Sequence, residues 1–165
     1  SAPNFAATIT TLITGSVRIK ADVVAADSRE GGLRQILNFG HTIAHAVERV
    51  LNFELLHGDA VAIGMVAEAR IAESIGLARE GLSMAIADAV ERAGLPSRLP
   101  AGIRLDDLIA ATHGDKKARG GAARYSLPRG IGAMEAAEGK WAVAVTDEVV
   151  KSALHASGPD SPSEI

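Results

Sequence analysis

The stretch Leu37–Glu48, "LNFGHTIAHAVE", decides how this chain is read, because it places two histidines, His41 and His45, four apart in a run otherwise suited to a buried helix. Four positions on an α-helix return a side chain to nearly the same azimuth, one turn on. Taken as one helix over Leu33–Leu51, Arg34, Asn38, His41 and His45 fall within roughly 60° of one another, with Glu48 close to the same line. Leu33, Ile36, Leu37, Ile43, Val47 and Leu51 take other directions, and Gly40 removes a side chain where another backbone could approach.

Two readings of that stripe stand. It is the solvated face of an amphipathic helix, or it is a site. Solvated faces carry mostly Lys and Glu. A guanidinium for bidentate contact with phosphate or carboxylate, an amide, and neutral imidazoles for a divalent cation instead suit an anion or metal site.

A third histidine, His57, follows in "LLHGDA". Sixteen residues of continuous helix would hold it about 24 Å from His41. Asn52 is a candidate helix stop, and a chain reversal there returns His57 beside His41. Two imidazoles and one carboxylate would then make an open three-ligand zinc site. Two histidines without other context are more readily core or surface residues than metal ligands. Lys20 and the tandem Lys116 and Lys117 in "GDKKARGG" are further polar candidates, although exposed lysines are ordinary.

The bulk properties narrow the class. A chain of 165 residues is long enough for one domain with its own core. With 47% hydrophobic but only 3% aromatic residues, that core must be built from Ala, Leu, Ile and Val, which predicts a mainly α fold. A net charge of -3 argues against nucleic acid or an anionic membrane surface as partner. Without cysteine there is no disulfide framework and no thiolate metal site, which fits a cytoplasmic protein. No apolar run reaches the length of a membrane span.

Periodicity and breakers predict helices over about Phe5–Ala26, Leu33–Leu51, Gly58–Ile75, Leu82–Ala93 and Leu105–His113. Beyond Gly114 the sequence turns Gly-rich, with two short extended runs expected to pair as one β-hairpin. A last helix is expected over Asp147–Ala156, so that residues 1–156 form one helical domain and 157–165 a disordered polar tail.

In order, "IKADVVAADSREGGLRQILNFGHTIAHAVE", "LHGDAVAIGMVAEA" and "DKKARGGAARYSLPRGIG" resemble the C-terminal domain of 3-dehydroquinate synthases, within the sugar-phosphate cyclase superfamily. The resemblance implies a shikimate-pathway enzyme. Such an enzyme converts 3-deoxy-D-arabino-heptulosonate 7-phosphate to 3-dehydroquinate and phosphate with NAD and a divalent metal, usually zinc. It implies His41 and His57 as metal ligands and His45 as a catalytic histidine near the leaving phosphate. Lys20, Arg34, Asn38 and one of Lys116 and Lys117 would contact substrate. Ala44 stands where the family commonly has glycine, and Asp59 where it commonly has glutamate.

The resemblance also implies an NAD-binding α/β domain and a third, glutamate ligand preceding residue 1, and a homodimer at full length. This chain alone is then expected to be inactive, to bind no NAD, and to offer two metal histidines unless Glu48 or Asp59 supplies a carboxylate. Two rivals remain: the C-terminal domain of a metal-dependent alcohol or polyol dehydrogenase, and a non-catalytic helical module. For the module, the small residues on several faces of "VAIGMVAEARIAESIG" would be an association surface.

Overall fold

The structure, a computed structural model, describes residues 5–27, 32–113, 122–136 and 141–155. Helix α1 (Phe5–Ala26) has the span its periodicity predicts, and of its described side chains only Val23, near the end, is buried. Asp27 then closes the connection to the next element: its Oδ2 accepts the Gly32 amide at 2.8 Å and the Arg34 amide at 3.0 Å.

The continuous helix expected over Leu33–Leu51 is instead two elements. A 3-10 helix, Leu33–Asn38, is followed by a turn at Gly40, and only then does α2 (His41–Val50) begin. The cause is tertiary. Gly40 takes φ +84°, a left-handed conformation that favours glycine. It also lies so close to the next helix that a Cβ there would stand 2.8 Å from Met65 Cγ and 2.9 Å from Val61 O. Gly64 reciprocates, since a Cβ on it would meet Gly40 O at 2.0 Å.

After α2 the chain reverses where Asn52 marked a stop. Asn52 and Phe53 both take positive φ, 51° and 62°, and the Phe53 amide donates to Glu48 O at 2.7 Å. Helix α3 (His57–Ser74) runs back beside α2. Helices α4 (Leu82–Arg92), α5 (Leu105–His113) and α6 (Asp147–His155) complete the helices among the described residues, each within a residue of its expected bounds.

Helix α3 is central, packing against α2, α4 and α6, while α5 bridges α2 and α6. Ala60, Ala62, Gly64, Ala67, Ala69 and Ala72 are all buried, so their small size serves close packing inside the domain. The faces offered by the module reading as an association surface are thus largely occupied by this chain's own core. That core includes Ile43, Val47, Val66, Ile71, Leu108 and Leu154.

Four short strands are found among the described residues. A hairpin forms between β2 (Pro128–Gly130) and β3 (Ala133–Met134), turning through Gly132 at φ +75°. A second antiparallel pair, β1 (Arg124–Tyr125) with β4 (Val143–Ala144), flanks it. Lys116, Lys117 and the tail 157–165 lie outside the described residues.

Candidate functional site

The reversal at Asn52 and Phe53 brings three imidazoles together. His41 and His45 stand one turn apart on α2, and His57 opens α3. Ring centroids are 5.7 Å apart for His41 and His45, 5.5 Å for His41 and His57, and 6.0 Å for His45 and His57. The 24 Å of a continuous helix has collapsed to side-chain contact.

Each ring's partner says where its proton sits. His41 Nδ1 lies 3.3 Å from Phe39 O, and a carbonyl only accepts, so Nδ1 carries the proton and Nε2 offers its lone pair. His57 Nδ1 lies 2.9 Å from Glu48 Oε1, with the same result. For His45, burial is the largest influence and holds its pKa below the ordinary imidazole value. Glu48 pulls it up, and His41, His57 and Arg49 push it further down. His45 is therefore neutral near pH 7.

Among the described residues, one trio of metal-capable groups has donor atoms all within 4.8 Å of one another: His45, Glu48 and His57. His41 is outside that trio although its ring faces His57, and Asp59 is outside it too. Glu48 is already engaged with His57 Nδ1, so this trio and the His41–His57 pair use the His57 ring differently.

The remaining sequence candidates are placed less tightly. Arg34 and Asn38 lie on the 3-10 helix before the Gly40 turn, Arg34 half-buried and Asn38 exposed, so they do not share one helical face with His41 and His45. Lys20 is exposed on α1. Two hydroxyls tie the turn to the strands: Ser126 donates to Gln35 O at 2.7 Å and Thr42 to Arg124 O at 2.9 Å.

Sequence reasoning missed Glu68. This fully buried α3 carboxylate accepts the Gly40 amide on Oε2 at 2.8 Å, and those of Thr42 and Ile43 on Oε1 at 3.1 and 3.3 Å. It caps α2 from another helix, satisfying amides that a helix start leaves unpaired, and fixes the backbone on both sides of His41. Burial pushes its pKa up to about 8 against the three amides, which pull it down. A lone acid in a run of Ala, Val and Ile was the available signal.

An open hollow of ≈ 410 Å³ beside α5 and α6 is a separate feature, lined by Asp106, Ile109, Ala110, Asp147, Glu148 and Lys151. Three of its charged groups are paired, Lys151 with Asp106 at 2.6 Å and Asp147 with His113 at 2.7 Å.

This architecture defines the class, the helical domain of the sugar-phosphate cyclase fold. A 2-deoxy-scyllo-inosose synthase, solved with carbaglucose-6-phosphate, NAD+ and Co2+, matches it with a TM-score of 0.78 at 23% identity, over 91% of this chain and 41% of its own. A 2-epi-5-epi-valiolone synthase from Streptomyces hygroscopicus subsp. jinggangensis 5008, with NAD+ and Zn2+ bound, matches with a TM-score of 0.72 at 29% identity, over 89% of this chain and 39% of its own. Residues 3–118 match the family model for the 3-dehydroquinate synthase C-terminal domain, and the chain belongs to that family. The 3-dehydroquinate synthase of Nostoc sp. (strain PCC 7120 / SAG 25.82 / UTEX 2576) is 45% identical over 139 residues, 84% of this chain and 36% of the relative. That of Symbiobacterium thermophilum is 48% identical over 118 residues, 71% of this chain and 33% of the relative. The chain thus spans about a third of these relatives' length.

Proposed function

We propose that this chain is the metal- and substrate-binding portion of a 3-dehydroquinate synthase, with His41 and His57 as the metal ligands it contributes. The observation that carries this reading is the pairing of those two rings, 5.5 Å apart, each with Nδ1 on an acceptor and Nε2 left to coordinate. Two imidazole nitrogens suit zinc or another borderline divalent ion.

When bound, the metal supplies Lewis-acid polarisation of a substrate oxygen, and NAD a transient hydride sink. This chain's residues do the positioning. Arg34 offers a planar fork for phosphate or carboxylate, and Asn38 directional hydrogen bonds to hydroxyls. Lys20 and one of Lys116 and Lys117 add positive charge for an anionic sugar phosphate. His45, neutral and one turn from His41, holds or accepts a proton beside the leaving phosphate.

The NAD-binding portion and a third metal ligand belong, in this reading, to sequence beyond this chain, which alone is inactive. The whole protein is a cytoplasmic homodimer. Binding of 3-deoxy-D-arabino-heptulosonate 7-phosphate and of sedoheptulose 7-phosphate to the zinc-loaded chain, measured by calorimetry, tests the substrate. The expected result is tighter binding of the carboxylate-bearing heptulosonate, lost in Arg34→Ala. Equal binding of the two sugars would overturn the assignment.

A second reading, an interaction module, is favoured by α1, where Ile9, Leu12, Ile13 and Val17 form an exposed apolar stripe at helical spacing. Elution volume of the chain against a Leu12→Glu variant tests it. An oligomer that dissociates in the variant supports association through α1, and a monomer in both rejects it.

A further inference from the structure

Beyond the two proposed ligands, we infer that Glu48 is a positioning residue for the metal centre, setting which nitrogen of His57 faces the ion. The inference rests on the reading above, in which His57 is a ligand.

His57 is the first residue of α3 and its side chain is 57% exposed, so no preceding helical turn holds the ring. The His41 and His45 rings beside it offer contact without fixing which nitrogen carries the proton. Glu48 is the opposite case: its side chain is only 11% exposed and its Oε1 lies 2.9 Å from His57 Nδ1. A buried carboxylate needs a partner, and the His57 ring supplies it.

Glu48 stands seven residues after His41 and three after His45 on α2, close to the same helical line, so the helix that carries His41 also carries the anchor for His57. With Glu48 Oε1 as acceptor at 2.9 Å, the proton stays on Nδ1 and Nε2 is left to offer its lone pair to a cation. Carboxylate, imidazole and metal in series is a recurrent way to fix a ligand's tautomer and raise its basicity. Glu48 also lies in the trio with His45 and His57, so direct coordination is the competing role and the test must separate the two.

The experiment compares zinc affinity, by competition with a chromophoric chelator, for the metal-stripped parent and the Glu48→Ala, Glu48→Gln and His57→Ala variants. It is coupled to 15N NMR of the His57 ring in the metal-free chain, at a pH where the ring is neutral. The expected result is a loss of about 10- to 100-fold in Glu48→Ala, partial rescue in Glu48→Gln, whose amide oxygen still accepts the Nδ1 proton, and a His57 tautomer balance that shifts toward Nε2–H in Glu48→Ala. Equal losses in both Glu48 variants with an unchanged tautomer would make Glu48 a direct ligand and overturn the inference. A loss confined to His57→Ala would overturn it while leaving His57 a ligand. No loss in His57→Ala would bring down the reading beneath it as well.

Discussion

The Glu68 carboxylate accepts the Gly40 amide at 2.8 Å across the α2–α3 contact, and this single bond joins the middle of the domain's central helix to the turn before His41. With the Thr42 and Ile43 amides it makes Glu68 the external cap of α2. Removing the carboxylate leaves three amides without their partner in a buried place. Glu68→Ala is expected to destabilise the chain by roughly 3 kcal/mol, read as a lowered urea midpoint. A change under about 0.5 kcal/mol would mean that water or local rearrangement satisfies those amides.

The same group gives a pH dependence of unusual sign for an acid. Its folded pKa of about 8 lies above its ordinary value of 4.5, so the folded state holds the proton more tightly than the unfolded state. Its contribution to stability is therefore fully present below pH 4.5 and is lost as the pH rises through 8. The unfolding free energy of the parent minus that of Glu68→Gln, which does not titrate there, is expected to fall between those limits by on the order of 1 kcal/mol per pH unit. A difference that rises with pH would show that the three amides outweigh burial.

Gly64 and Gly58 lie on one helix in opposite circumstances. A Cβ on Gly64 would meet Gly40 O at 2.0 Å, backbone that cannot swing aside, whereas nothing lies within 4 Å of one on Gly58. Gly64→Ala should cost about 2–3 kcal/mol through forced separation of α2 from α3, while Gly58→Ala stays within about 0.5 kcal/mol. Thermal melts of the two variants side by side check this, and similar midpoints would contradict the close crossing.

Much of the fold could be read from residues close in sequence. The span of α1, the bounds of α5 and the reversal at Asn52 follow from apolar spacing and from residues that stop a helix locally. The break at Gly40 did not, because apolar periodicity runs on across Leu33–Leu51 and a lone glycine is tolerated within a helix. What forces it is Met65, Val61 and Gly64, more than twenty residues away. Glu68 was hidden for the same reason, since its partners are amides, which no side-chain pattern displays. The meeting of His41 with His57 was legible because one reversal sufficed to make it, whereas Arg34 and Asn38 were placed on the wrong line by a helix that does not continue.

The central claim is that His41 and His57 hold the metal. Calorimetric zinc titration of the metal-stripped chain, compared with His41→Ala, His45→Ala and His57→Ala, addresses it most directly. The account predicts that His41→Ala and His57→Ala each weaken binding by about tenfold or more, as loss of one of two imidazole ligands requires, and that His45→Ala weakens it far less. Affinity kept in His41→Ala but lost in His45→Ala would contradict it and move the ion to His45, Glu48 and His57.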